Sequence, residues 1–104
     1  MLQHNVYFYL KDAVTSAEKQ QFEAGLKELL QTPGLHKAEI GVPGATPERE
    51  VTDHGFAYAI YTWFKTIEDH DIYQEHPRHK EFIEKYSALW AKVRVYDAEI
   101  IHAQ

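Results

Sequence analysis

The chain has 104 residues and a mass of 12.1 kDa, enough for one hydrophobic core and too little for two, so we expect a single domain over residues 1–104. Its formal charge of −5, from 11 basic and 16 acidic residues without a basic run, argues against nucleic acid or an anionic membrane as a partner. The absence of cysteine excludes disulfides, a thiolate nucleophile and cysteine-containing zinc motifs, which leaves histidine, tyrosine and carboxylate side chains for any chemistry.

The first predicted elements are a strand and a helix. Side chains over residues 3–10 alternate between two faces, which predicts a strand. Thr15 and Glu18 then have the spacing of a capping box, and an apolar stripe follows them. We therefore expect a helix over about residues 16–31.

Two further strands are separated by the longest irregular stretch of the chain. Residues 35–42 and 56–64 are rich in β-branched, aromatic and small residues, which predicts strands two and three. The segment between them, residues 43–55, has a length that is more often found in lids and ligand-binding loops than in plain connections.

The last third of the sequence predicts two helices and a strand. Thr66 and Asp69 have the spacing of a helix start, and Pro77 suits the first turn of a second helix. Residues 93–101 predict the fourth strand. The order βαββαβ indicates an α+β class protein with a ferredoxin-like fold, in which an antiparallel sheet carries its helices on one face.

Large side chains occupy both faces of the predicted sheet. On the face toward the helices lie Val6, Phe8, Ile60 and Phe64, and on the other face lie Tyr7, Tyr9, Tyr61 and Trp63. A sheet with one solvated face normally alternates apolar with polar residues. We therefore expect the second face to pack against another copy of the chain in a homodimer, although tyrosine also tolerates water.

Most of the chain resembles the stress-responsive dimeric α/β-barrel (Dabb) family. The resemblance is carried by "QHNVYFYLKD", "GFAYAIYTWF", "LWAKVRVYD" and above all "YQEHPRHKEF", which contains the pattern Tyr-x-x-His-Pro-x-His. It implies a ferredoxin-like monomer whose sheet faces that of a partner subunit to form a dimeric barrel. Members include plant proteins induced by stress, bacterial proteins without an assigned activity and a plant polyketide cyclase that closes a ring by intramolecular aldol condensation.

The resemblance to the cyclase also implies roles for particular residues. Its acid–base tyrosine and histidine correspond to Tyr73 and His79, and its first-strand histidine corresponds to His4. A further histidine of the cyclase is replaced here by Tyr58, and a position that is usually aliphatic in the family is His70.

The spacing of His76 and His79 raises the question of a metal site. A zinc site without cysteine needs three or four histidine or carboxylate ligands directed at one point. Pro77 disfavours helical geometry at His76, so the two histidines do not lie on one face of a continuous helix. Candidates for a third ligand have no supporting spacing: His4, His54 and His70. We therefore expect no metal and no cofactor.

An acid–base interpretation of the same block uses Pro77 as the first residue of a helix. His79 then lies in the first turn, where the helix dipole disfavours the imidazolium and keeps the ring neutral. It precedes Phe82 on the stripe that faces the sheet, and Tyr73 could present its hydroxyl to the same space. A structural role for both residues is an open alternative, because buried histidine and tyrosine side chains commonly make hydrogen bonds without catalysing anything.

Three functions follow from the sequence as alternatives. The first is a module that binds a small, partly apolar ligand, with candidate contacts at His4, Tyr58, His76 and Phe82. The second is a cyclase-like lyase or isomerase in which Tyr73 and His79 act as acid and base. The third is a structural dimer without a ligand. No secretory signal or apolar run of membrane-spanning length is evident, and we expect a cytoplasmic protein.

Overall fold

A computed structural model describes residues 1–104. Its elements, in chain order, are β1 (Leu2–Leu10), α1 (Ser16–Leu29), β2 (Lys37–Gly41), β3 (Tyr58–Phe64), α2 (Ile67–Glu75), α3 (Pro77–Tyr86) and β4 (Trp90–Glu99). The strands form one antiparallel sheet in the order β2-β3-β1-β4. This is the ferredoxin-like arrangement that the sequence predicts. None of the helices combines the length and hydrophobicity that crossing a membrane requires.

The helices begin at the residues that the capping patterns indicate. At the start of α1, the Glu18 amide donates to the Thr15 hydroxyl at 3.2 Å, and the Thr15 amide donates to the Glu18 carboxylate at 2.9 Å. The Asp69 amide donates to the Thr66 hydroxyl at 3.0 Å at the start of α2. Each bond satisfies an amide that the helix itself leaves without a partner.

The proline in the second helical region breaks it into α2 and α3. His76 has extended backbone angles, φ −65° and ψ 140°, as expected for a residue that precedes proline. Pro77 is the first residue of α3, where its missing N–H is not needed. The chain therefore changes direction between Glu75 and Pro77 and starts a new helix.

The fourth strand begins three residues earlier than the sequence predicts. A single 3₁₀ turn, Ser87–Leu89, follows α3 and ends the helical region. The register of β1 against β4 shifts between Tyr9 and Leu10, which pairs Leu10 with Trp90. Trp90 is therefore the first residue of β4. The predicted second and third strands are also shortened at their ends to Lys37–Gly41 and Tyr58–Phe64.

The hydrophobic core lies between one face of the sheet and the helices. The buried residues of that cluster include Val6, Phe8, Phe22, Leu26, Ile60 and Phe64. The ring of Phe22 from α1 packs edge-to-face against Phe8 at 5.2 Å between centroids. Phe22 also contacts Phe82 of α3. The core thus joins β1 to α1 and α3.

The other face of the sheet carries partly exposed aromatic rings without a covering helix. Tyr7 makes edge-to-face contacts there with Phe56, Tyr61 and Tyr96 at centroid distances of 5.1, 6.1 and 5.9 Å. Trp63 lies under the ammonium group of a lysine on the neighbouring strand. We call this surface, made by Tyr7, Tyr9, Tyr61, Trp63 and Tyr96, the open sheet face.

The long loop is attached to the edge of this open sheet face. The Tyr9 hydroxyl donates to the Asp53 carboxylate at 2.6 Å, which raises the pKa of Tyr9 to about 12 and lowers that of Asp53. The same carboxylate accepts the Gly55 amide at 2.7 Å. The next residue, His54, contacts the Thr46 hydroxyl at 3.0 Å.

Candidate functional site

A cavity of about 360 Å³ lies between the sheet and the two C-terminal helices. Its apolar walls include Val6, Phe8, Ile60, Phe82, Trp90 and Val93. Its polar groups are His4, His70, Tyr73, Gln74, His79 and Asp97. A mostly apolar space with a few convergent polar groups is the usual form of a small-molecule site.

Tyr73 is the one residue of the cavity lining that has a hydroxyl group. It belongs to α2, is 1% exposed, and its hydroxyl makes no hydrogen bond to another protein group. Its ring packs between Phe64 and His79, at centroid distances of 5.3 and 5.0 Å. Burial raises the pKa of Tyr73, so the hydroxyl keeps its proton at neutral pH and can donate it in a hydrogen bond.

His79 lies in the first turn of α3, three residues after the capping residue. Its backbone amide donates to the His76 carbonyl at 3.0 Å, while its Nδ1 atom is buried without a hydrogen-bond partner. Burial, followed by the nearby charges of His4 and His70, lowers the pKa of His79. The ring is therefore neutral near pH 7 and can accept a proton.

His4 comes from the central strand and is 4% exposed. Its Nδ1 atom lies 2.5 Å from a carboxylate oxygen of Asp97, the residue paired with it across the sheet on β4. Burial lowers the pKa of His4 more than the Asp97 carboxylate raises it. Gln74 reaches the other ring nitrogen, with its amide nitrogen 3.5 Å from Nε2 of His4.

His70 adds a third imidazole to the same cavity. Its ring contacts that of His4 edge-to-face, with centroids 4.7 Å apart. Its Nδ1 atom lies 3.1 Å from the Asp71 carboxylate, and its Nε2 atom is buried without a hydrogen-bond partner. Two imidazole nitrogens of the cavity therefore lack a hydrogen-bond partner, Nε2 of His70 and Nδ1 of His79.

Four of the six residues singled out from the sequence line this cavity, namely His4, Tyr73, His79 and Phe82. The other two lie outside its lining. The Tyr58 ring packs against Phe22, with its hydroxyl 3.5 Å from the Lys19 carbonyl. The His76 ring accepts the Arg78 amide at 3.1 Å and thereby caps α3. A ligand in the cavity would thus meet neither Tyr58 nor His76.

Sequence reasoning missed Asp97 and Gln74 as polar groups of the cavity. Asp97 meets His4 only because of the β1–β4 register, which the sequence does not specify. Gln74 follows Tyr73 on α2 and carries no distinguishing motif. The sequence singled out His70 as a histidine at a position that is usually aliphatic in the family, and as a third-ligand candidate without supporting spacing.

Comparisons with known proteins agree with this fold. The sequence model of one family, the Stress responsive A/B Barrel Domain, matches residues 2–100. Olivetolic acid cyclase from Cannabis sativa is 24% identical over 97 residues, which cover 92% of this chain and 93% of the cyclase.

Solved structures extend the likeness at the level of the fold. Hydroxynitrile lyase from Passiflora edulis is 20% identical with a TM-score of 0.82, over 99% of this chain and 95% of the lyase. A dimeric ferredoxin-like protein of unknown function from Thermobifida fusca is 18% identical with a TM-score of 0.77, over 95% of this chain and 90% of that one.

Proposed function

As the chain belongs to the stress-responsive A/B barrel domain family, we propose that it is a homodimeric protein that binds a small, partly apolar molecule in the cavity between sheet and helices. The observation that carries this proposal is the cavity itself. Its volume of about 360 Å³ lies within the range of roughly 300–1,000 Å³ that is usual for ligand pockets. Its walls are aromatic and aliphatic, and three of its polar groups, His4, His70 and Asp97, lie close together.

The polar groups define the chemistry of the ligand. The Tyr73 hydroxyl is a donor that lacks a partner, and the neutral His79 ring supplies an acceptor next to it. A buried group without a partner costs about 1–3 kcal/mol, a cost that a ligand can remove. The ligand that fits is therefore a compact apolar molecule with a carbonyl or hydroxyl oxygen directed at Tyr73.

The homodimer is supported by the open sheet face. Tyr7, Tyr61 and Tyr96 form a continuous aromatic cluster there, and no helix of the same chain covers it. Burying such a surface against a second copy around a two-fold axis removes apolar area from water. The related protein from Thermobifida fusca is described as dimeric.

Binding in the cavity is tested with 2-naphthol, whose fluorescence anisotropy rises when it is held by a protein. We expect saturable binding to the wild-type protein and weaker binding to Val93→Phe, because Val93 lines the cavity and a larger ring would fill it. Val42→Phe places the same ring at an exposed residue outside the cavity and is the matched control. Equal binding to all three proteins, or no binding to the wild type, would contradict the proposal.

A second candidate function is proton-transfer catalysis at the same site. It is favoured by one observation, the direct contact between the Tyr73 and His79 rings with both polar atoms left without partners. In this function His79 removes a proton next to a carbonyl, and Tyr73 donates a hydrogen bond to the oxygen as it gains charge. The names of two relatives, a cyclase and a lyase, accord with such chemistry.

This second function is tested without knowledge of the natural substrate. Exchange of the methyl protons of acetophenone for deuterium in D₂O requires a base and a donor to the oxygen. We expect the wild-type protein to accelerate the exchange, and His79→Ala to lose the acceleration. Exchange at the same rate in both proteins would leave ligand binding as the function of the cavity.

A further inference from the structure

Three side chains that are distant in sequence meet at the polar side of the cavity. His4 comes from β1, His70 from α2 and Asp97 from β4. One nitrogen of each imidazole and one carboxylate oxygen lie within 4.8 Å of one another. We propose that His4, His70 and Asp97 bind a divalent transition-metal ion, preferentially Zn²⁺, with an open coordination position that faces the cavity.

The types of ligand favour this class of ion. Two histidines and one carboxylate form the protein ligands of one group of catalytic zinc sites, and the same combination binds non-haem iron in oxygenases. Imidazole nitrogen is a poor ligand for Mg²⁺ and Ca²⁺, which prefer oxygen. Three protein ligands leave at least one position for water or for an oxygen of a molecule bound in the cavity.

His70 is already oriented as a metal ligand. A carboxylate can only accept, so the contact of Nδ1 with Asp71 at 3.1 Å places the ring hydrogen on Nδ1. The Nε2 atom then carries a lone pair, and this atom is the one that is buried without a partner. An imidazole whose outer nitrogen is held by a carboxylate is the usual arrangement around protein-bound zinc.

The pair of His4 and Asp97 supplies the other two ligands. In their contact of 2.5 Å the Nδ1 atom of His4 donates its ring hydrogen to the Asp97 carboxylate. When an ion binds at Nδ1, the ring gives up this hydrogen and takes one up at Nε2, beside the Gln74 amide, so His4 binds as a neutral imidazole. Metal–ligand bonds of about 2.1 Å put ligand atoms about 3.4 Å apart in a tetrahedral site. The Asp97 side chain is 46% exposed and has room to rotate into that position.

This inference reverses the sequence-based expectation of no metal. That expectation started from His76 and His79, which are close in sequence, and considered His4, His54 and His70 only as a third ligand. In the structure the His76 ring caps α3, while His70 and Asp97 reach His4 through the fold. Neither Tyr73 nor His79 is a ligand of the proposed ion, so metal binding and proton transfer can be tested independently.

The experiment is a calorimetric titration of untagged, chelator-treated full-length protein with Zn²⁺, accompanied by a Co²⁺ titration followed by visible absorbance. We expect one ion per subunit and Co²⁺ bands of a four- or five-coordinate site. Affinity should fall at least about tenfold in His70→Leu and in Asp97→Asn, since each removes one ligand. Zn²⁺ should also raise the thermal unfolding temperature of the wild type, and raise that of the variants less at the same Zn²⁺ concentration.

His36→Ala, which removes an exposed histidine, is the matched control and should bind Zn²⁺ like the wild type. Asp97→Asn replaces one oxygen of a half-exposed side chain and should not prevent folding. Its affinity for Zn²⁺ therefore tests the site even if His70→Leu does not fold. No one-to-one binding by the wild type would overturn the proposal. Binding that Asp97→Asn leaves unchanged would overturn it as well, since the ion would then lie at another place on the surface.

Discussion

The rings of Tyr73 and His79 meet edge-to-face, with centroids 5.0 Å apart and an interplanar angle of 74°, although they belong to different helices. The two rings meet because His76 is extended and a new helix, α3, begins at Pro77. A hydroxyl that keeps its proton therefore lies beside an imidazole that is neutral near pH 7.

Tyr73→Phe should slow proton transfer without lowering the free energy of unfolding. Because the Tyr73 hydroxyl is buried without a partner, its removal should leave the free energy of unfolding unchanged or raise it. If the hydroxyl assists proton transfer, the rate of deuterium exchange into acetophenone should fall about 10²–10⁴-fold. Urea unfolding and exchange followed by NMR measure the two quantities.

The matched control for this variant is Tyr58→Phe, which removes a hydroxyl outside the cavity lining. It should leave the exchange rate unchanged. A clear loss of stability in Tyr73→Phe would mean that its hydroxyl has a structural partner and would remove the basis of the donor role.

The Tyr73→Phe/His79→Ala double variant should be little slower in exchange than the slower of the two single variants. Groups that act in one step are not additive, because removal of either already disables that step. Rates of the four proteins under the same conditions form the required cycle. Full additivity of the two losses would show that the residues act independently, against the paired acid–base function.

Trp63→Glu should weaken the proposed dimer. Trp63 lies on the open sheet face, and a carboxylate at an apolar interface must lose its hydration without an evident partner. Light scattering should give twice 12.1 kDa for the wild type and a lower mass for the variant at the same micromolar concentration.

Gln21→Glu adds the same negative charge on the exposed side of α1 and should remain dimeric. A wild-type protein that is monomeric at micromolar concentration would contradict the use of the open sheet face as an interface.

The stability of the protein should fall on mild acidification. Burial lowers the pKa of both His4 and His79 below the value of 6.5, so the unfolded chain takes up protons at a higher pH than the folded chain. The free energy of unfolding should therefore decrease as the pH drops below 6.5 and continue to decrease until the lowered folded-state pKa values are passed.

Urea unfolding at a series of pH values, in the presence of a chelator, measures this dependence. His79→Gln removes one of the two histidines whose pKa is lowered and should make the dependence shallower. If the free energy of unfolding of that variant depends on pH as steeply as that of the wild type, the pKa of His79 is not lowered by folding.

Much of the fold follows from local patterns, and part of the site does not. The capping residues Thr15 and Thr66 start helices where their spacing indicates, and Pro77 begins α3. By contrast, the meeting of His4 with Asp97 depends on strand register, which is a property of the assembled sheet. Local periodicity contains no information about such long-range pairs.

The difference between local patterns and long-range contacts also explains which site residues the sequence placed correctly. His79 could be directed toward the cavity from its place on a helical stripe with Phe82. Tyr58 shares a sheet face with the cavity residues, yet its ring packs against Phe22 of α1 and lies outside the cavity lining. Which residues of one face share a cavity depends on how the helices cross the sheet, and the sequence does not specify this.

The central claim, a ligand site between sheet and helices, is tested most directly by the two indole N–H signals in a ¹H–¹⁵N NMR spectrum. Trp90 lines the cavity and Trp63 lies on the opposite face of the sheet, so each protein molecule contains its own control. Acetophenone and ethylbenzene are matched probes that differ in the carbonyl. We predict that acetophenone shifts the Trp90 signal saturably, leaves the Trp63 signal in place, binds more tightly than ethylbenzene, and loses this advantage in Tyr73→Phe. A Trp90 signal that neither probe moves, or a shift confined to Trp63, would contradict the account.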